Sequence, residues 1–267
     1  MRGNLVRKSR ETYAGYRILN RDFDRRNLDA VISVLGWASR FMSTPKMLHF
    51  VLEIADCDLF ETDGFSQRFK EKFYSYIRQW NRVRNKTASL KRKKLPEIQL
   101  IFSLESKYLL SAPGVPYNHL HLMVVVDTNH NDYGYKELII AINRALSSIL
   151  GLESLSFDET RTIFWNGPVV SEYGFLKFRN EKSSIKIGTF KKLYWHDLKT
   201  ELADAVCRAS YLCKLDQKEL LPEKFQRGNS FGHTRPKIAR TKSSVKLPNE
   251  VIIGAQLDIL KHQSSGT

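Results

Sequence analysis

The order of apolar patterns along this 267-residue chain predicts an α+β fold, an antiparallel sheet with helices packed on one face. Three observations carry that expectation. Strand-like and helix-like stretches alternate as strand, helix, strand, strand, helix, strand or strands, helix. Two adjacent apolar runs, IQLIFSLES (98–106) and NHLHLMVVVD (118–127), are joined by a loop holding Ser111, Pro113, Gly114 and Pro116, turn formers that fold such runs back on one another. A largely aromatic stripe, Phe65, Phe69, Phe73, Tyr76, Ile77 and Trp80, recurs mostly at spacings of three and four, as a helix with one buried face requires.

Taken in order, residues 13–41 place Leu28, Val31, Ile32 and Leu35 at helical spacing and predict one or two helices. MLHFVLEIADCD (47–58) turns to a strand-like run, the first of the core. The aromatic helix follows, and its period favours core packing over a platform for stacked bases. After the two central strands, YKELIIAINRALSSIL (135–150) is helical again, with Gly151 a plausible stop. Residues 158–192 hold β-rich pieces (TIFW, YGFLKF, SIKIGTF) broken by turn residues. From Trp195 to about Leu215 the pattern returns to helix through Leu198, Leu202, Val206 and Ala209. Such an order is that of a split βαβ, ferredoxin-like sheet. The expected organisation is an N-terminal helical extension (1–45), a catalytic domain (46–222) and a basic, largely irregular tail (223–267).

Charge is the least ordinary feature of the composition. Forty-three Lys and Arg stand against 28 Asp and Glu, a formal net of +15, which favours a polyanionic partner, nucleic acid before a membrane surface. Two clusters concentrate it. RVRNKTASLKRKK (82–94) has seven basic residues and no acid, and Lys224 to Lys246 has seven more, again with no acid. A solvated tail that serves solubility is the bland reading of the second. Three cysteines, Cys57, Cys207 and Cys213, make no CxxC pair and leave one over in any disulfide scheme, so a reducing, cytoplasmic compartment is expected. The charged N-terminus lacks a signal peptide's apolar stretch, and no window approaches 18 apolar residues, so no membrane is expected.

Two of the seven histidines, His119 and His121, stand one residue apart at the head of an apolar strand. Successive strand side chains point to opposite faces, so these two share a face, about 7 Å apart at Cα, and can converge on one ion. In the preceding strand Glu105 could complete a His-His-carboxylate set with open positions, a donor set whose chemistry allows Zn²⁺. The alternative is a polar pair on the open face of a sheet. Downstream, CRASYLCK (207–214) puts Arg208, Tyr211 and Lys214 three apart, on one face if the segment is a helix. A phenol flanked by cations can attack phosphorus when a metal polarises the phosphoryl oxygens. Alternatively Tyr211 merely closes a helix, and Lys214 is a last-turn cation.

A strand-borne HxH followed by a downstream YxxK resembles the HUH endonucleases of the replication-initiator type. More narrowly, the sequence is similar to the inovirus and prophage replication-protein family with the YagK/YfjJ C-terminal domain. The matching segments are PYNHLHLMVVV (116–126), RASYLCKLDQK (208–218) and NSFGHTRPK (229–237), the last resembling a Ser-Phe-Gly-x-Ser-Arg closing pattern with Thr234 in the serine's place. The likeness spans roughly residues 47–237.

That resemblance implies an HUH-type fold with His119 and His121 as metal ligands, Glu105 as the likeliest carboxylate, Tyr211 as nucleophile and Lys214 as the accompanying lysine. It implies Mg²⁺ or Mn²⁺. The expected activity is a rolling-circle initiator's: Tyr211 nicks single-stranded or hairpin origin DNA, leaving a 5′-phosphotyrosine and a free 3′-OH, and later rejoins the ends. Backbone contacts are expected from Arg82, Arg84, Lys91, Arg92, Lys93 and Lys94 in the first cluster, Arg227, Arg235 and Lys237 in the second, and Arg208 beside the tyrosine. No GxxxxGK[ST] loop is present, so a host helicase and polymerase are expected partners.

Tyr13 and Tyr16 stand near the N-terminus, where conjugative relaxases carry their nucleophile, so that order is not excluded by residue type; the cationic YxxK setting makes Tyr211 the better candidate. A basic module that binds DNA or RNA without cutting is the main competitor. An amidohydrolase barrel would need a βα repeat that is absent, and a two-histidine phosphoesterase a second HxT or HxS beside the lone His262-Gln263-Ser264. His49, in the first core strand, reads as structural, and His130, His196 and His233 as turn or helix-end residues.

Overall fold

The computed structural model describes residues 5–6, 12–54, 60–87, 94–109, 112–130, 132–149, 169–171, 174–178, 195–226 and 229–236. At the N-terminus, β1 (Leu5–Val6) pairs with β4 (Phe23–Asp24), and β2 (Thr12–Tyr13) with β3 (Tyr16–Arg17). Helix α1 (Arg25–Phe41) begins where the Asp24 carboxylate accepts the backbone N–H groups of Arg26 (2.8 Å) and Asn27 (3.1 Å). Its Leu28, Val31, Leu35 and Ala38 fall on one stripe and are buried. Ser43, Thr44 and Pro45 then turn the chain into strand β5 (Pro45–Ile54).

Helix α2 (Phe65–Thr87) buries Phe65, Phe69, Phe73 and Ile77, each one turn from the next, so the aromatic stripe is core. Strands β6 (Ile98–Leu109) and β7 (Ala112–Asp127) form the expected hairpin, paired antiparallel from Ile98↔Val126 to Tyr108↔Pro116. Helix α3 (Tyr135–Ile149) follows, and Glu137 closes its first turn by accepting the Gly134 N–H at 3.0 Å. Strands β8 (Val169–Ser171) and β9 (Gly174–Phe178) are what is described of the β-rich region; TIFW and SIKIGTF lie outside the described residues, as does Gly151. The chain closes with β10 (His196–Asp197), α4 (Leu202–Ala209) and β11 (Phe231–His233).

The main sheet runs β11-β6-β7-β5-β9-β8, every pair antiparallel, with β10 on the start of β5. The strand period divides its side chains between two cores. Leu100, Phe102, Leu104, Leu120, Leu122, Val124 and Val126 meet α2 and α3 on one face. Met47, Ile101, Met123 and Val125 meet α1 and α4 on the other. Helices therefore cover both faces, not one as the element order suggested. The stretch expected as an N-terminal extension supplies α1 to the second of these layers.

The expected irregular tail likewise contains order. The closing NSFGHTR segment is zipped along β6: Leu104 N–H donates to the Ser230 carbonyl (2.7 Å), Thr234 N–H to the Leu100 carbonyl (2.9 Å), and Leu100 N–H to Thr234 Oγ1 (2.9 Å). Gly232 lies opposite Phe102, and a Cβ there would overlap the Phe102 ring. Gly232→Ala is expected to cost about 1–3 kcal/mol through overpacking, read by urea denaturation. No described helix is long and apolar enough to cross a membrane.

Asp127, at the end of β7, clamps the turn into β5. Its carboxylate accepts Ser43 N–H (2.8 Å), Ser43 Oγ–H (2.7 Å), Thr44 N–H (2.9 Å) and Asn129 N–H (3.0 Å). Burial alone would raise its pKa, but these donors hold the group below the ordinary aspartate value. With the folded value depressed, the stabilisation is complete above the unfolded value near about 3.9 and is lost as pH falls through the folded one. Asp127→Asn, which faces donors with a donor of its own, is expected to cost about 2–4 kcal/mol at neutral pH, and less in acid.

Candidate metal centre

The hairpin builds the centre. Register sets Glu105 on β6 directly opposite His119 on β7, and Ser103 opposite His121, so the period of two brings Glu105, His119 and His121 to one face. All three are buried. Glu105 Oε2 stands 3.4 Å from His119 Nε2 and 3.2 Å from His121 Nε2. Adjacent ligands of an ion bound at about 2.1 Å stand about 3.0–3.4 Å apart in octahedral or tetrahedral geometry, and both separations fall there. Moreover, Glu105 Oε2 is crowded by both imidazoles and by Lys214, while Glu105 Oε1 has no hydrogen-bond donor among the described residues. A buried carboxylate oxygen left without a donor fits a cation. The group could hold a metal ion; its donor set does not select which.

Tyr211 and Lys214 arrive from far downstream. The expectation that they share one face of an α-helix fails: α4 stops at Ala209 and passes into a 3₁₀ turn, Ser210–Cys213, with Lys214 extended (φ −60°, ψ 149°). Residues three apart eclipse in a 3₁₀ turn, so the pair still meets. Lys214 Nζ lies 3.6 Å from the Tyr211 ring centroid, and that ring stands edge-on to His121 at 4.9 Å. The N-terminal segment straps this turn in place: Phe23 bridges to Lys214, Leu215 N–H donates to the Asp22 carbonyl (3.0 Å), and Leu19 N–H to Ser210 Oγ (3.1 Å).

Lys214 is the charge partner of Glu105. Its Nζ is 2.8 Å from Glu105 Oε2 and donates to Gln217 Oε1 at 3.0 Å, and both members of the ion pair are buried. Gln217, in the left-handed region (φ 66°), is itself pinned to β6 where its carbonyl accepts Ser106 N–H at 2.7 Å. Burial would push the Glu105 carboxyl up, but the neighbouring imidazoles and the Lys214 ammonium hold it well below the carboxylate range. Burial depresses the His121 imidazole, which Glu105 partly offsets. A depressed His121 imidazole beside an ionised Glu105 carboxylate is the combination that favours a bound cation.

An ammonium and a divalent ion would compete for Glu105. Lys214→Met is therefore expected to raise Mn²⁺ affinity about tenfold or more in the absence of DNA, measured by calorimetry. The same variant should be less stable without metal, since it strands a buried carboxylate.

The remaining sequence-predicted residues are dispersed. Arg208 is half-buried on the last turn of α4, close enough to His196 to help depress its imidazole. Arg82 is exposed on α2, and Arg84 pairs with Glu137 at 3.9 Å. The Lys94 carbonyl accepts from Asn129 Nδ2 (3.1 Å) and Tyr133 OH (3.0 Å), just past the end of β7. These three thus sit toward the Asp127 end of the sheet, about 20 Å along β7 from His121, and α2 lies on the face away from the centre. Arg235 is exposed beyond β11. Lys91, Arg92, Lys93, Arg227 and Lys237 lie outside the described residues.

His49, expected to be structural, proves to touch the centre: its Nε2 is 3.0 Å from His121 Nδ1. A histidine inside an apolar strand was the only signal in the sequence. Lys218 also approaches Glu105, and burial lowers its ammonium pKa. No family model, curated protein or solved structure matches the chain.

Proposed function

We propose that this chain is a metal-dependent tyrosine endonuclease and strand transferase of the HUH, replication-initiator type, acting on single-stranded or hairpin DNA at a rolling-circle origin. One observation carries the reading: Tyr211 and Lys214 lie against Glu105, His119 and His121, although the chain separates the two groups widely. The antiparallel order β6-β7-β5-β9, with α2 and α3 on one face, is compatible with a split βαβ, ferredoxin-like sheet and lends the reading support.

Glu105, His119 and His121 would hold the Mg²⁺ or Mn²⁺, and the ion's contribution is to polarise the scissile phosphate as a Lewis acid. The chain's own residues do the rest. Tyr211 presents its phenol beside that site, and its oxygen attacks phosphorus. A P–O bond forms to the tyrosine as the bond to the 3′ oxygen breaks. The phenol proton passes to solvent and the departing 3′ oxygen takes one up, leaving a 5′-phosphotyrosine and a free 3′-OH. Lys214 supplies positive charge next to the phenol as negative charge develops. Reversal rejoins the strand. Backbone contacts from basic residues would make binding fall steeply with salt. Host polymerase and helicase would extend and unwind the nicked strand in a cytoplasmic setting.

The test is incubation with 5′- and 3′-labelled single-stranded oligonucleotides tiled over the chain's own locus, with Mn²⁺ or with EDTA, resolved on a denaturing gel. A covalent adduct that forms with Mn²⁺ and not with EDTA supports the reading. Salt-sensitive binding without adduct on any oligonucleotide supports a non-catalytic DNA- or RNA-binding module instead. The observation favouring that module is that Lys214 already neutralises Glu105, as a purely structural cluster would arrange.

A further inference from the structure

We propose that His49 is a positioning residue for the metal centre, its imidazole selecting the ring tautomer through which His121 can ligate. The proposal rests on the reading of Glu105, His119 and His121 as a metal site. His49 lies on the same face of β5 as His121 does of β7, since Met123 is opposite His49 and Val51 opposite His121. Both imidazoles are buried, with ring centroids 5.2 Å apart and a tilt of 36°. His121 thus points Nε2 at Glu105 and Nδ1 at His49 Nε2, 3.0 Å away.

Two nitrogens at that distance share one hydrogen, which permits two arrangements of neutral rings. In the first, His49 Nε2–H donates to His121 Nδ1, and the His121 hydrogen sits on Nε2, facing Glu105. That arrangement suits the protein without a metal but blocks the ligand position. In the second, His121 Nδ1–H donates to His49 Nε2, and the Nε2 lone pair is bare toward Glu105 and His119. Only the second can ligate. Conversion releases the His121 Nε2 proton to solvent, moves the His49 Nε2 proton to His121 Nδ1, and returns a solvent proton to His49 Nδ1. Each ring stays neutral throughout. A ligating histidine ordinarily donates its second N–H to a carboxylate, carbonyl or water, and here an imidazole takes that place.

Long-range ¹H–¹⁵N correlation on ¹⁵N-histidine-labelled protein reads the tautomers directly. In EDTA, His121 is expected as the Nε2–H form; with saturating Mg²⁺, as the Nδ1–H form with a bare Nε2. Calorimetry with Mn²⁺ gives the second readout. His49→Leu, which fills the space but accepts no hydrogen bond, is expected to weaken Mn²⁺ binding about 10–100-fold, and His49→Gln, which keeps an acceptor, to recover most of it. His121 remaining in the Nε2–H form with Mg²⁺, or His49→Leu binding Mn²⁺ as wild type does, overturns the proposal. Should His49→Leu fail to fold, the wild-type tautomers decide alone. Wild-type protein that binds neither ion would sink the metal-site reading itself, a result distinct from both.

Discussion

Replacing Tyr211 by phenylalanine is expected to lower covalent adduct formation by about 10⁴-fold or more while leaving Mn²⁺ affinity within about twofold of wild type. The asymmetry follows from the geometry. The Tyr211 ring packs against His121 and under Lys214, contacts that phenylalanine preserves, and only the hydroxyl is lost. A phenylalanine keeps the π-face for the ammonium as well, so Lys214 has no reason to leave Glu105. Single-turnover assays on labelled oligonucleotides, paired with calorimetry, measure both quantities. Loss of metal affinity together with activity would mean that Tyr211 shapes the site and does not act as its nucleophile.

The second large effect belongs to Glu105→Ala. Glu105 and Lys214 are at most 1% exposed, with Nζ 2.8 Å from Oε2. Deleting the carboxylate strands a buried ammonium and removes the carboxylate that faces both imidazoles. A loss of about 3–5 kcal/mol in urea denaturation is expected, with Mn²⁺ affinity down at least about 100-fold. The pH dependence has a definite sign. Because the folded Glu105 carboxyl is depressed, its stabilisation is present above the unfolded value near about 4.3 and disappears as pH falls through the folded one. Wild type and Glu105→Ala should therefore converge in stability at low pH. A gap that stays constant through acid would remove the ion pair from the account.

Periodicity made much of the fold legible. Phe65, Phe69, Phe73 and Ile77 declared a buried helix face. Pro113, Gly114 and Pro116 announced a reversal between the two central strands but misplaced it: all three lie within β7, with Pro116 paired to Tyr108, because the hairpin runs on past the turn-forming residues. What an amphipathic stripe does not declare is the side of the sheet it covers. Leu28, Val31 and Leu35 required burial, and only the folded chain shows that α1 buries them on the face opposite α2 and α3. Three residues of β11 are too few to carry a period, so their pairing with β6 was hidden behind the basic composition around them.

At the centre, alternation and the hairpin sufficed to place Glu105 on the face of His119 and His121. The contact of His49 with His121 depends on the register of β5 against β7, which no local pattern encodes. The spacing of Tyr211 and Lys214 was informative although their local structure was misjudged, because i, i+3 neighbours meet in a 3₁₀ turn as in a helix. Net charge, by contrast, says nothing about place: Arg82, Arg84 and Lys94 gather toward the far end of the sheet.

The most direct measurement is mass-spectrometric mapping of the protein after reaction with single-stranded oligonucleotides from its own locus and Mn²⁺, followed by nuclease and trypsin. The account predicts one modified peptide, carrying a 5′-phosphonucleotide on Tyr211. A phosphonucleotide on another tyrosine, or none on protein that demonstrably binds both Mn²⁺ and the DNA, would contradict it.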